Sequence, residues 1–423
     1  DRNTEAARLY RQVVEVTPDR LPDIRRALAW QLRWSGQCKD AVTLFAAEIE
    51  RFPDDADPRQ GRAECALVTN RPASALADYD WIVNRDASNV RAATGRARAL
   101  FWSGADEAAL AALGSLQGPE VDALRRDVQR EVGRRLTFGF ETSSDSDDLD
   151  IRAFNVGLRY PLQARDYLLA NLRTANVEQN GIAEHGDTIL VGYGRLIGNP
   201  GAGLGALRVS AEGGARNYDP ESSGAWRLHG TWLRSDVWRF DIEAGNEIIE
   251  NIQSLLNRVQ FNYASAGFDA RPFDRWLFSA GVLAADFRDG NQRHRLHGRI
   301  EHRWRDAPRL DAGIEAFGFN DSDPPNPSLG YYSPDRYREG KIYLVWRPEA
   351  FGFGFRLKGA VGRLWESPGD ASTLYAWEAG MHRELSEQFR FDAWIGGSDS
   401  ASLTSGPGGY RRHYSGAQVG WWF

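Results

Sequence analysis

From about residue 134 to Phe423 the chain repeats with a period of two. Trp238, Phe240, Ile242 and Ala244 alternate with Arg239, Asp241, Glu243 and Gly245. Leu296 and Ile300 alternate with Arg295, His297, Arg299, Glu301 and Arg303, and Phe389, Phe391, Ala393 and Ile395 with Arg390, Asp392, Trp394 and Gly396. Such alternation specifies strands with one apolar and one polar face. In a soluble sandwich the apolar face packs on a second sheet. Here the polar face carries full charges at successive positions and alternate turns are very short. A membrane barrel explains both, with lipid on the apolar face and water in the lumen.

Strands are expected near 134–142, 151–161, 167–177, 187–197, 203–217, 224–234, 236–248, 255–270, 275–287, 291–304, 309–319, 336–347, 352–366, 372–384, 388–398 and 411–423. Sixteen is even, so both ends of the barrel lie on one side. The connections 163–166, 235–236, 272–274, 305–308 and 386–387 are tight. Those at 143–150, 320–335 and 401–410 are longer and polar, the pattern of short periplasmic turns and long outer loops. The composition agrees: 15 Trp and 43 Gly, yet a mean hydropathy of -0.51. No run approaches the ~20 apolar residues of a membrane helix. The last strand puts Ala417, Val419, Trp421 and Phe423 on one face.

Residues 1–132 repeat differently. Ala41, Ala75 and Ala109 are spaced by 34, and Ala6 precedes Ala41 by 35. A large apolar residue follows each by four: Tyr10, Phe45, Tyr79 and Leu113. Pro18 and Pro53 are read as helix stops. Trp34-Ser35-Gly36 recurs as Trp102-Ser103-Gly104. This spacing resembles the tetratricopeptide repeat, helix pairs stacked into a solenoid. The first repeat lacks its leading helix, so a longer array is expected upstream. The division is therefore 1–132, a helical repeat domain, and 133–423, a 16-stranded antiparallel transmembrane β-barrel. Cys38 and Cys65 fall on neighbouring repeats, compatible with a disulfide in an oxidising compartment or with two buried thiols.

Catalytic and metal signatures are missing from the sequence. His294 and His297, three apart on a strand, point to opposite faces and do not chelate one ion. No Gly-x-Ser-x-Gly elbow or His-Glu-x-x-His motif stands out. A net charge of -6, with no long basic run, gives no polycation for nucleic acid. The expectation is a non-enzyme without cofactor or metal.

Transport remains. From Arg134 onward there are 33 Lys/Arg and 37 Asp/Glu, a mixed wall that does not select strongly for one ion sign. Parity puts Arg239, Asp241, Glu243, Arg299, Glu301 and Asp392 in the lumen, with the rings Phe317, Phe319, Tyr343 and Trp394. Rings beside acids and arginines suit a polymer of sugar units, whose C–H faces stack while hydroxyls bond polar groups. Simple lumen filling is the alternative for each ring.

The most distinctive stretch is Gly330-Tyr331-Tyr332-Ser333-Pro334-Asp335-Arg336-Tyr337, entering a strand from a long loop. With repeats before a barrel and a terminal Phe, it resembles the outer-membrane exporters of bacterial exopolysaccharides, of the cellulose-secretion and poly-N-acetylglucosamine export porin type. The resemblance implies an outer-membrane location with the repeats in the periplasm, and export of cellulose or a related β-glucan or amino-glycan. It further implies a synthase docked through the repeats, and Trp421 and Phe423 as the signal read by the barrel-assembly machinery. The chain departs from those exporters in having only about three and a half repeats. A surface-lipoprotein translocator and a general diffusion porin are the rival readings.

Overall fold

The computed structural model describes residues 2–16, 22–163, 165–199, 205–218, 221–323, 327–367, 369–402, 404, 406 and 410–423. Pro18, residue 164 of the first tight turn, residues 203–204, and parts of the 320–335 and 401–410 loops lie outside the described residues. Two compact units are present, one of Asp1–Val132 with the segments Gly198–Ala206 and Leu233–Val237, the other of the remaining residues from Gly133.

The first unit is built from α1 (Arg2–Val16), α2 (Pro22–Trp34), α3 (Cys38–Arg51), α4 (Ala56–Val68), α5 (Pro72–Arg85), α6 (Val90–Trp102), α7 (Asp106–Leu113) and α8 (Pro119–Val132). Each helix packs on the next in antiparallel pairs, and the pair repeats every 34 residues. Ala41, Ala75 and Ala109 are fully buried where helices cross. The ring four residues later is the knob. Phe45 lies across Gly61 and Tyr79 across Gly95, so close that an added Cβ would fall 2.2 Å and 2.4 Å from ring atoms. Asp55 and Asn89 cap their helices by accepting the amides of Asp57 and Ala92. Buried Asp78 receives a bidentate pair from Arg62 at 2.7 Å, which holds the Arg62 guanidinium above its ordinary pKa.

Cys38 and Cys65 are buried but not joined. They sit in hydrogen-bond contact, and that neighbour together with burial pushes the Cys65 thiol far upward. The disulfide expectation gives way to the buried thiol pair, placed on the facing helices α3 and α4 inside the apolar cluster of Trp30 and Phe45.

The second unit is a closed sheet of sixteen long antiparallel strands: β1 (Arg135–Asp145), β2 (Leu149–Gln163), β3 (Asp166–Gln179), β4 (Ile182–Asn199), β5 (Gly205–Tyr218), β6 (Glu221–Leu233), β7 (Trp238–Ile248), β8 (Gln260–Ala270), β9 (Trp276–Phe287), β10 (Gln292–Asp306), β11 (Arg309–Asp321), β12 (Arg336–Arg347), β13 (Phe353–Ser367), β14 (Ser372–Glu384), β15 (Phe389–Ser398) and β16 (Arg412–Trp422). A two-residue piece, Glu349–Ala350, pairs with the start of β13. β1 closes on β16 from Arg135↔Trp422 to Asp145↔Arg412.

The strand expected at 255–270 is corrected. Ile252–Leu256 form a short helix, α9, and β8 begins only at Gln260. Leu255, read as the start of that strand, packs instead with Ile252 against Leu149, Val177 and Tyr218.

Alternation holds around the wall. Ile242, Val282, Leu296, Ile314 and Ile342 point outward and are 53–61% exposed, which is stable only against hydrocarbon. No described helix is long and apolar enough to cross a membrane, so the strands do the crossing.

Gly95→Ala should destabilise the helical unit by about 1–3 kcal/mol, because the Tyr79 ring has no room to retreat. The same change at Gly36, whose Cβ site is open, tests positive-φ strain instead. Helical circular dichroism through a thermal ramp reads both, and an unaltered transition for Gly95→Ala would refute the knob assignment.

Candidate functional site

Within the barrel the inward positions carry a dense set of compensated charges. Asp311, fully buried, is held by Arg309 at 2.8 Å and by Arg347. Glu315 lies between Lys341 and Lys358 at 3.3 Å and 3.1 Å. Arg239 pairs with Asp241 at 2.9 Å, Arg390 with Asp392 at 2.7 Å, and the Tyr263 hydroxyl donates to Glu243 at 2.7 Å. Arg299 donates to Ser279 at 3.3 Å. These opposite charges cancel locally, within one strand or between neighbours, whereas Arg295 and Arg299 of β10 have no ion pair among the described residues.

One end of the barrel has the short turns and the other the long loops. At the loop end α9 folds inward and is fastened on two sides. On one side, Glu250 accepts a bidentate pair from Arg173 of β3, one arm at 2.8 Å, and the hydroxyl of Tyr218 from β5. On the other, Asn251, Ser254 and Asn257 donate to the carbonyls of Gly330, Leu329 and Ser328. Asn251 also caps α9 by accepting the Ser254 amide at 2.7 Å. Gly330 has φ +84°, and a Cβ there would meet Gln253 at 2.5 Å. Only glycine permits this approach.

The octapeptide is the other half of the latch. Tyr331 stacks on Phe287 at 4.8 Å with planes 2° apart, donates to Asp289 at 2.8 Å and receives Asn291 at 2.9 Å. Tyr332 donates to Glu366 at 2.7 Å, and burial with this partner pushes its hydroxyl pKa upward. Its carbonyl accepts from Arg293, whose guanidinium forms a buried bidentate pair with Asp321 at 2.7 Å and 2.8 Å and lies 4.3 Å over Phe319. Tyr337, wholly buried, stacks on Phe319 at 5.1 Å, donates to Glu339 and accepts the Ala401 amide at 3.1 Å. Ser333 and Pro334 are buried, whereas Asp335 and Arg336 are exposed.

The four sequence-predicted rings all lie on the inward parity but differ in access. Phe319 and Tyr343 are each 6% exposed. The first is covered by Arg293 and Tyr337. The second lies across Gly313, donates to Glu301 at 3.0 Å, and has Lys358 4.7 Å above it. Phe317 is half-buried beneath Arg295 at 5.4 Å. Trp394 borders a cavity of about 290 Å³, beside Glu141, Arg173, Glu250 and Arg412, and Phe317 and Phe319 border a larger one of about 1760 Å³ with Arg295, Tyr337 and Glu366. Sequence reasoning missed the residues that fasten the latch from the other strands: Arg173, Tyr218, Glu250, Asn251, Arg293 and Glu366. At the C-terminus Trp421 faces outward, stacked on Phe389 at 6.0 Å and close to Phe423 at 4.9 Å.

No family model matches this chain, and a search of curated proteins finds no match. Among solved structures it is similar to a bacterial polysaccharide outer membrane secretin, with TM-score 0.58 and 16% identity over 69% of this chain and 99% of that one. The fold is that of an outer-membrane barrel. Two more distant similarities are to CdiB from Acinetobacter baumannii (TM-score 0.42, 12% identity, 69% of this chain and 60% of that one) and, over the repeats, to a tetratricopeptide repeat protein from Parabacteroides merdae (0.28, 12%, 30% and 53%).

Glu250→Gln should loosen the latch of this outer-membrane barrel. Losing a charge-assisted pair, about 1.5–3 kcal/mol, shifts the open-to-closed ratio about tenfold or more. Single-channel recording in planar bilayers should show longer open times than wild type. Identical gating would mean that α9 does not occlude the conducting path.

Proposed function

We propose that the protein is an outer-membrane pore that exports an exopolysaccharide, with cellulose or a related β-glucan or amino-glycan the best fit, and that it is not an enzyme. The observation that carries this reading is the lumen: lined by opposite charges, many of them paired within or between strands, and covered at one end by a fastened loop helix. A lumen without a field of one sign suits an uncharged chain, whose hydroxyls exchange one polar wall contact for the next. The similarity of fold to a polysaccharide outer membrane secretin supports the substrate class. An electropositive tract, as a strongly anionic polymer would need, is not built by these pairs.

In this reading the short-turn end and the helical repeats face the periplasm, where the repeats dock the synthase components or the polymer itself. The latched loops then face outward and gate the exit, with Gly330 to Tyr337 as the fixed half of the gate. The outer band contacts lipid, and Trp421 with Phe423 provides the aromatic terminus that the barrel-assembly machinery takes up. Driving force comes from polymer synthesis, since nothing in a passive pore supplies it.

The direct test is secretion. Cells that lack the chain should retain the polymer in the periplasm, and complementation should restore surface glycan measured by dye binding and sugar analysis. Complementation with residues 322–330 replaced by a short Gly-Ser link should restore secretion and raise resting conductance several-fold, because Asn251 and Asn257 lose their acceptors. Full surface glycan in cells without the chain would end the export reading.

A further inference from the structure

Two aromatic rings on β15 and β16 share an arrangement that sets them apart from the covered rings of the lumen. In the register, Trp394 faces Gly416 and Gly396 faces Tyr414. Each ring leans over the glycine of the neighbouring strand. A Cβ on Gly416 would fall 2.4 Å from the Trp394 ring, and one on Gly396 2.4 Å from the Tyr414 ring. The two rings therefore lie flat along the wall, crossed over two glycines, instead of standing into the lumen. A flat ring keeps one face against the backbone and leaves the other toward the interior. Both residues are half-buried, unlike Phe319 and Tyr343.

The space in front of them is open. The cavity of about 290 Å³ beside Trp394 shares Ser143, Ile151, Glu250, Arg412 and Tyr414 with a second of about 380 Å³ that reaches Ser398 and Thr404 toward the loops. Each is of the order of a small-ligand site, about 300 Å³ or more. Two opposite charges border this path, Glu141 and Arg412. Both are exposed, and among the described residues neither has an ion-pair partner, in contrast to the paired Arg390 and Asp392 on the same wall. A +1 and a -1 group with a flat ring between them recognise hydroxyl groups and pyranose C–H faces, not a net charge.

The geometry points to a glycan-binding subsite on the β15–β16–β1 wall, in which Trp394 and Tyr414 stack consecutive sugars of an uncharged polymer while Glu141 and Arg412 hydrogen-bond its hydroxyls. The path runs past Glu250, so the polymer leaves along this wall, beside α9. This rests on the export reading and names its substrate contacts.

The test is block of single-channel current in the whole chain by cellohexaose and chitohexaose, with an alginate hexamer as the anionic comparison. Wild type should be blocked by the two uncharged oligosaccharides and at least tenfold more weakly by the anionic one. Trp394→Ala should weaken block about tenfold, the equivalent of 1.4 kcal/mol, with block expressed relative to each variant's own unblocked current. Trp394→Phe should restore most of it, and Gly416→Ala, which tilts the ring while keeping it, should lose it. Block of wild type with no change in Trp394→Ala and Gly416→Ala would overturn the subsite and leave export standing. Stronger block by alginate than by cellohexaose would overturn the subsite and also count against an uncharged substrate. No block by any of the three, in a protein that still secretes polymer, would overturn the subsite alone.

Discussion

Closure of the sheet is the constraint on which everything else depends. Each strand in hydrocarbon must satisfy its backbone from its two neighbours, because lipid offers no donors or acceptors. The pairing of β1 with β16 over eleven residue pairs removes the last free edge. It also fixes parity for the whole wall: once Arg135 is set against Trp422, every inward and outward residue of sixteen strands follows. An outward band of Ile, Leu, Val and Trp is then obligatory, and pairs such as Arg309 with Asp311 and Arg390 with Asp392 are kept inside.

Confinement creates the second problem. Some inward charges sit where water is scarce, and an unpaired one there is costly. The chain answers with partners two residues apart on one strand (Arg239 and Asp241, Arg309 and Asp311, Arg390 and Asp392) or across adjacent strands (Lys341 and Glu315). The same chemistry fastens the mouth. Arg173 with Glu250 and Arg293 with Asp321 anchor loops instead of strands. Apolar contacts join these polar pairs at the mouth, Ile252 with Leu149 and Val177 and Tyr331 on Phe287. In the helical unit, by contrast, Phe45 and Tyr79 are locked by close packing alone.

Period and parity were legible in the sequence: sixteen strands, the helix-pair spacing of 34, and the inward position of Arg239, Glu301, Asp392 and Trp394. Each follows from local alternation. The latch was not legible, because it joins residues from loops far apart in the chain, such as Glu250 with Arg173 and Asn251 with Gly330. Tertiary pairing of this kind leaves no periodic trace. Helix α9 escapes the sequence for a related reason: Leu255 looks like the start of a strand until Leu149, Val177 and Tyr218 from β2, β3 and β5 supply its packing. The cysteines are undecidable by spacing, since a thiol pair and a disulfide demand the same proximity.

A signal that would have found more was present in the glycines. Gly61 and Gly95 recur at 34 residues like the alanines, each receiving a ring from the preceding helix. In the barrel the same device recurs with strand geometry: Tyr343 lies across Gly313, Tyr218 across Gly186, Tyr167 across Gly194, and Trp394 across Gly416. A glycine opposite or diagonal to an inward aromatic marks a ring laid flat, which fills less of the lumen than one standing upright. Gly186, Gly194, Gly313 and Gly416 are thus part of the pore's calibre. Where the flat ring is then covered by a lysine, as at Tyr343, it is structural. Where it is left facing open space, as at Trp394, the wall has been kept both smooth and adhesive, which is what a sliding chain requires.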